Sequence, residues 1–101
     1  MLGPQYTLSF AIVGVRASRR LNRTYRNKDA PTDVLSFSLE KNVGEIVINP
    51  DIARRKAKAF GRSYENYIGF IFIHGLYHLK GYDHGDAMER AEAKTRAVFN
   101  I

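Results

Sequence analysis

The sequence SYENYIGFIFIHGLYHLKG, residues 63–81, decides the fold of this chain. Its apolar centre, residues 68–73, taken alone has the length of a buried strand. The surrounding pattern is too long for a strand and continues at helical spacing, so we predict a helix that runs to Lys80. Ser63 is a capping residue at its start, and Gly81 is a stop at its end. The residues on two adjoining sides of this helix are Tyr67, Ile71, His74 and His78, then Ile68, Phe72, Leu76 and Leu79.

Helix signals also flank this stretch. Before it, the triplet NPD at residues 49–51 combines a capping side chain, proline at the first helical position and an acid near the positive end of the helix dipole. A helix is predicted there over residues 50–60, ending before Gly61. After it, Asp86 with Glu89 three residues later is a variant of the capping box and predicts a last helix. The residues that recur at helical spacing in that helix are Met88, Ala91, Thr95 and Val98.

Three segments in the first half of the chain are typical of strands. Residues 6–13 are rich in β-branched and aromatic side chains, and residues 34–39 alternate apolar with small polar side chains. A third strand is predicted over residues 45–48, after Gly44. The short link over residues 40–43 permits an antiparallel hairpin between the last two strands.

A short helix is predicted between the first two strands, over residues 15–25, because few helix breakers occur there. Leu21 and Tyr25, four residues apart, would form one apolar stripe. Residues 27–33 contain a proline and two aspartates and form a turn-rich connection. The chain is therefore predicted to be α+β, with a small mixed sheet of about three strands packed with about four helices in a single domain.

The composition excludes several classes of protein. The chain has no cysteine, so disulfides and thiolate metal sites are absent, and histidine and carboxylate are the only strong ligands left. Its longest run without a polar or charged side chain is too short to span a bilayer, and its start shows no secretory signal, so we expect a cytoplasmic protein.

The chain has a net positive charge, and its basic residues are concentrated in two segments. Sixteen Lys and Arg against ten Asp and Glu give a net charge of +6, which is compatible with a polyanionic partner and equally with a role in solubility alone. The basic residues crowd two segments: Arg16, Arg19, Arg20, Arg23, Arg26 and Lys28 in the first, and Arg54, Arg55, Lys56, Lys58 and Arg62 in the second.

All three histidines of the chain lie within eleven residues, at His74, His78 and His84. Because residues four apart on a helix lie one turn above each other, His74 and His78 can offer nitrogens to one ion about 2 Å from each. Gly81 ends the helix and allows the chain to turn back, which brings His84 toward the same point. Three protein ligands leave a fourth position for water, as in catalytic zinc sites.

Other interpretations of this spacing exist. Any one histidine, taken singly, is more commonly an ordinary helix or loop residue, but three at ligand spacing favour a metal site. A structural metal that uses Asp83 or another carboxylate as its fourth ligand is an open alternative. The spacing also equals that of the metzincin peptidases, H-E-x-x-H-x-x-G-x-x-H, in which the glutamate is the general base. Here that position is Gly75, so the base is absent, and a phosphodiester is a more suitable substrate.

Three motifs carry a resemblance to a known family. Residues 74–84, HGLYHLKGYDH, differ only at Tyr77 from the pattern H-G-x-L-H-L-x-G-Y-D-H. Residues 21–37, LNRTYRNKDAPTDVLSF, follow L-N-x-x-Y-R-x-K-D-x-P-T-D-V-L-S-F, and residues 44–48, GEIVI, are similar to G-D-I-V-I. In this order the motifs resemble those of the YbeY family of bacterial metal-dependent endoribonucleases, of which this chain would be an N-terminally short form.

The resemblance implies a zincin-like helix on which His74 and His78, together with His84, bind one zinc ion. It also implies that Arg26 is the family's functional arginine, and a guanidinium in the metal cleft could hold a scissile phosphate. The implied substrate is single-stranded RNA, cut by a metal-activated water in ribosomal RNA maturation and ribosome quality control.

Alternatives to these implications stay open. Arg26 could be a solvated surface cation, and Asp83 could either orient a ligand imidazole or cap a turn. The alternative functions are a metallopeptidase-like hydrolase, or an RNA- or ribosome-binding module with a structural zinc.

Overall fold

The computed structural model of the chain describes residues 2–83 and 85–101. The elements in these ranges are β1 (Thr7–Ile12), α1 (Val15–Arg26), β2 (Val34–Glu40), β3 (Val43–Ile48), α2 (Pro50–Ala59), α3 (Tyr64–Leu79) and α4 (Asp86–Val98). The predicted α+β class, with three strands and four helices, is confirmed. Within these ranges, every helix is too short or too polar to cross a membrane.

The three strands form a mixed sheet in the order β1-β3-β2. β1 runs parallel to β3, with Phe10 opposite Ile46, and β2 runs antiparallel to β3, with Ser36 opposite the same residue. The predicted hairpin between β2 and β3 is confirmed, with a register shift between Ser38 and Glu40. This arrangement puts Ile46, which is fully buried, on the central strand.

The long helix α3 is the centre of the packing. It contacts β2 and β3 of the sheet as well as α2 and α4, so little of its circumference faces solvent. A helix enclosed in this way needs apolar residues on nearly every side, which is why its sequence also resembles a buried strand. The buried residues of the main core are Ile46, Ile48, Ala53, Ala57, Tyr67 and Ile71, and those of a smaller cluster toward α4 are Ile73, Tyr77 and Met88.

The predicted caps of α2 and α3 are confirmed. The Asn49 side chain accepts hydrogen bonds from the backbone N–H groups of Asp51 and Ile52, at 3.1 and 3.4 Å. The Ser63 hydroxyl accepts one from the N–H of Asn66 at 3.1 Å. Both side chains satisfy helix donors that would otherwise lack an intrahelical partner.

The capping prediction for Asp86 is wrong. α4 begins at Asp86 itself, and no side chain forms a hydrogen bond at the cap position, which Gly85 occupies. The chain therefore enters the helix one residue earlier than the capping box required. Asp86 lies in the first turn with Glu89, where both carboxylates still face the positive end of the helix dipole.

Polar contacts hold α1 against the rest of the chain. Ser18 and Asn22 are its buried residues. The Asn49 side-chain amide donates to the Ser18 hydroxyl at 3.0 Å, and the Asn22 amide donates to the carbonyl oxygen of Ala30 at 2.9 Å. Asn49 thus caps α2 and also holds α1 in place. This contact fixes the orientation of α1 and therefore the position of its C-terminal end.

The apolar stripe predicted for α1 is only partly correct. Leu21 is half-buried, but Tyr25 is 64% exposed, with its ring edge-on to Phe37 at 4.9 Å between centroids. The stripe prediction failed at Tyr25 because α1 packs mainly through the polar Ser18 and Asn22.

Candidate metal centre

His74 and His78 lie one turn apart on α3, and their imidazoles meet edge to face. Their Nε2 atoms are 3.0 Å apart, and the ring planes are 88° from parallel. Two nitrogens bound to one zinc ion at about 2 Å and a tetrahedral angle lie about 3.3 Å apart. The observed spacing is close to that value, so both nitrogens are placed where a single ion could bind.

The other ring nitrogen of each histidine has a protein acceptor. Nδ1 of His74 lies 3.0 Å from Oε1 of Glu92, and Nδ1 of His78 lies 3.2 Å from the carbonyl oxygen of Tyr82. An Nδ1–H that donates to such an acceptor leaves Nε2 unprotonated, which is the form that binds a metal. At 3.0 Å the two Nε2 atoms can share one N–H···N hydrogen bond, and loss of that proton leaves two nitrogens that can bind one metal ion. The histidine pair therefore fits a metal ion.

The third predicted ligand, His84, lies outside the described residues. The turn that leads toward it is described: Gly81 has φ 102°, and the N–H of Tyr82 donates to the carbonyl of Tyr77 at 3.1 Å. The predicted helix stop at Gly81 is thus confirmed, with the helix itself ending at Leu79. Over the part of the chain that the structure describes, no group of three candidate ligands occurs, so a three-histidine site stays a prediction.

Both histidines line a cavity of about 320 Å³. Arg26, the last residue of α1, lines the same cavity, although it is 48 positions from His74 in the sequence. Three carboxylates also reach the wall: Asp33 from the segment before β2, and Glu89 and Glu92 from α4. The fold therefore brings the predicted arginine to the histidine pair.

Asp33, predicted only as a turn residue, is a buried carboxylate in this wall. It is 6% exposed; the Tyr67 hydroxyl donates to its Oδ2 at 2.6 Å, and the Nζ of Lys56 lies 3.5 Å from its Oδ1. Burial, followed by the hydrogen bond to Asp33, raises the pKa of Tyr67 well above its ordinary value of 10.0. Tyr67 therefore remains a hydrogen-bond donor throughout the neutral range.

The carboxylates of the cavity have partners, whereas Arg26 has no carboxylate partner among the described residues. Glu89 lies 3.6 Å from Arg96, and Glu92 is held by His74. Within residues 2–83 and 85–101, no carboxylate lies at ion-pair distance from Arg26. An anion can therefore meet the Arg26 guanidinium in the cavity that the two histidines also line.

The sequence as a whole matches a known family. The family model described as Endoribonuclease YbeY matches residues 1–99. The chain belongs to the YbeY endoribonuclease family. Two curated YbeY endoribonucleases, from Alkaliphilus metalliredigens and Aquifex aeolicus, are 40% and 42% identical to it over 92% of its length. The matches cover 67% and 65% of those relatives, so this chain spans about two thirds of their length.

A solved structure supports the fold. The solution structure of a protein from Thermotoga maritima is 34% identical to this YbeY family member and superposes with a TM-score of 0.62. The match covers 88% of this chain and 65% of the other. At this similarity the shared fold extends through most of the described elements.

The sequence predicted His74, His78 and Arg26, which line one cavity, but not Glu92, which contacts His74 from another helix. Glu92 was not predicted, although a carboxylate between Met88 and Thr95 on the inner stripe of α4 was a usable signal. Asp83 is exposed, and the acceptors at the two Nδ1 atoms are Glu92 and the Tyr82 carbonyl instead.

Proposed function

We propose that this chain is a single-strand-specific, zinc-dependent endoribonuclease that acts in ribosomal RNA maturation and ribosome quality control in the cytoplasm. The observation that carries the proposal is the cavity shared by the histidine pair and Arg26. Membership of the YbeY family supports RNA as the substrate. In this proposal the whole chain works as one domain.

One zinc ion would be held by His74, His78 and His84. When bound, it would activate a water molecule and stabilise the charge that develops on the phosphodiester. The chain's own contribution is to orient the ligands: Glu92 holds the His74 ring and the Tyr82 carbonyl holds the His78 ring, so that both Nε2 atoms face the cavity.

Arg26 is the residue that we assign to the phosphate. Its guanidinium can donate two parallel hydrogen bonds to non-bridging oxygens and offset charge as the bond to phosphorus forms. Since Lys56 lies 3.5 Å from Asp33 and Arg96 lies 3.6 Å from Glu89, two of the three wall carboxylates have a cation beside them, which reduces their repulsion of a phosphate.

Gly75 disfavours the peptidase alternative. It takes the place of the metzincin general base, and it is a buried glycine whose carbonyl oxygen accepts a hydrogen bond from Ser36 at 3.1 Å. A side chain at this position would point into the sheet, because a Cβ would lie 2.9 Å from the Ser36 hydroxyl. The peptidase alternative would therefore need a general base from another part of the chain.

The test is cleavage of a labelled single-stranded RNA, with the same sequence as a duplex for comparison. Wild type, His78→Ala, His84→Ala and Arg26→Gln are compared, and zinc content and thermal melting are recorded for each. Lys28→Gln is the matched control, because it removes one exposed positive charge two residues from Arg26.

We expect both histidine variants to lose zinc and cleavage. Arg26→Gln should keep zinc and fold but lose about 10²-fold in kcat/KM, while Lys28→Gln stays close to wild type. Zinc-loaded wild type that binds RNA but never cuts it, and merely unfolds without zinc, would instead identify a binding module with a structural metal.

A further inference from the structure

The exposed face of α1 is a groove lined by arginine. Four side chains, those of Arg16, Arg19, Arg20 and Arg23, border a shallow, open depression of about 330 Å³, separate from the cavity at the histidines. All four residues are exposed. The groove is therefore accessible to a ligand from solvent.

The groove leads to the candidate site. With about 100° of rotation per residue, the four arginines and Arg26 fall within about 120° of the helix circumference. Arg16 and Arg26 are about 15 Å apart along the axis, at about 1.5 Å per residue. One row of positive charge thus runs along α1 and ends at the residue that lines the cavity.

This row is costly for the helix itself. Like charges three or four residues apart repel, and Arg16 with Arg20 and Arg19 with Arg23 are such pairs. The first turn of α1 has no acidic residue that would compensate. Asp29 relieves part of the repulsion: it binds Arg19 through two hydrogen bonds, at 2.8 and 3.0 Å, and lies 3.9 Å from Arg23.

Two cations of the second basic segment, Arg54 and Lys56 on α2, are engaged within the protein, whereas Arg55 and Lys58 are exposed. Arg54 lies 3.7 Å from Asp51 and packs over the Tyr64 ring, and Lys56 contacts the buried Asp33. These cations serve contacts within the chain. Among the described residues, Arg16 and Arg20 have no carboxylate at ion-pair distance, so their charge is directed at solvent.

We propose that this groove binds the phosphodiester backbone of the RNA strand through Arg16 and Arg20, on one side of the phosphate held by Arg26. This inference rests on the proposed function and adds the path of the strand across the protein. Guanidinium contacts to phosphates carry no base information, so the groove sets position and affinity rather than sequence preference.

The test uses the zinc-loaded protein and the double variant Arg16→Gln with Arg20→Gln. The control is Arg55→Gln with Lys58→Gln on α2, which removes the same charge from exposed positions outside the groove. Binding of labelled single-stranded RNA is measured by anisotropy between about 50 and 200 mM salt. Cleavage is measured on a long RNA and on one too short to extend from the cavity along α1.

We expect the groove variant to lower the slope of log K against log salt by about 1.4, which corresponds to two phosphate contacts on a single strand. The KM for the long RNA should rise, with a much smaller effect on the short RNA, and the control should change both quantities less. Equal effects of the two double variants would contradict the proposal, because RNA binding would then depend only on the total positive charge of the protein. If the groove variant loses as much affinity for polyglutamate as it loses for RNA, the proposal also fails. The groove would then bind an acidic protein instead of RNA.

The outcome also separates this inference from the proposed function. If wild type cuts no RNA, the endoribonuclease proposal fails. The salt dependence of RNA binding still decides whether the groove binds RNA. If wild type cuts RNA and the groove variant retains the wild-type slope and KM, the groove alone is refuted.

Discussion

Oε1 of Glu92 on α4 lies 3.0 Å from Nδ1 of His74 on α3. Glu92 is 3% exposed, so its carboxylate needs this partner in the interior. The hydrogen bond fixes the rotation of the His74 ring and leaves Nε2 facing His78. The packing of α4 on α3 therefore determines the orientation of a predicted metal ligand.

Replacing Glu92 should weaken zinc binding without removing a ligand. We expect Glu92→Gln to lower zinc affinity about tenfold and Glu92→Ala about 100-fold, because an amide oxygen holds the imidazole less strongly and a methyl group does not hold it at all. Competition with a zinc-binding dye measures the affinity. Glu89→Gln is the control, since its side chain is 72% exposed and contacts Arg96 instead. If Glu89→Gln lowers zinc affinity as much as Glu92→Gln does, the loss of negative charge near the site explains the effect, and the hydrogen bond to His74 does not.

Gly81 should be required both for stability and for zinc binding, whereas Gly61 should matter for stability alone. Both have positive φ, 102° and 68°, and each is followed by an N–H that bonds to a carbonyl five residues earlier. Alanine at either position should cost about 1–2 kcal/mol of folding free energy, because a side chain resists this conformation. Only Gly81 precedes Tyr82, whose carbonyl holds His78, so Gly81→Ala alone should also lower zinc affinity.

Chemical denaturation and dye competition on both variants separate the two effects. If Gly61→Ala lowers zinc affinity as much as Gly81→Ala does, a general loss of stability explains the result. Unchanged zinc affinity in Gly81→Ala would show that the turn does not position the ligands.

The elements of this fold were predictable where a local signal decides them. Asn49 and Ser63 cap helices through their own side chains, and the spacing of His74 and His78 places both on one helix face whatever surrounds them. Each of these signals depends on residues at most four positions apart, so it can be recognised from the local sequence alone.

The rest depends on contacts between distant segments. The proximity of Glu92 to His74 follows from the angle at which α4 packs on α3, which no periodicity encodes. The exposure of Tyr25 follows from the way α1 is held through Ser18 and Asn22. Asp33 looked like a turn former because its hydroxyl partner, Tyr67, lies 34 residues away.

Gly75→Ala should destabilise the protein, although alanine favours helices. An added Cβ would lie 2.9 Å from the Ser36 hydroxyl and 3.2 Å from Cδ1 of the buried Ile46, so these two side chains would have to shift within a packed interior. Overpacking of this kind costs about 1–3 kcal/mol, which exceeds the gain of up to about 1 kcal/mol in helix propensity.

Gly69→Ala on the same helix is the matched control. Its Cβ would meet the end of the Ile101 side chain, which can rotate away, so the gain in helix propensity should leave stability unchanged or higher. Urea denaturation of both variants gives the comparison. Equal stability of the two proteins would show that α3 does not approach the sheet as closely at Gly75 as the structure describes.

Stability at alkaline pH should depend on Tyr67. Its pKa is raised, chiefly by burial and then by the hydrogen bond to Asp33, so in the folded protein it keeps its proton above pH 10.0, where the unfolded chain begins to lose it. The unfolded state then binds fewer protons than the native state, and the free energy of unfolding falls as pH rises beyond that point.

Tyr67→Phe should remove this part of the alkaline decline. It should also lower stability at neutral pH by about 1–3 kcal/mol, because the buried Asp33 loses its closest donor. Urea denaturation between about pH 8 and 11 gives the profile, and Tyr64→Phe is the control, since it removes a phenol from the same helix but leaves the Tyr67 hydrogen bond in place. A Tyr67→Phe profile parallel to that of wild type up to the highest pH would mean that Tyr67 ionises equally in the folded and unfolded states.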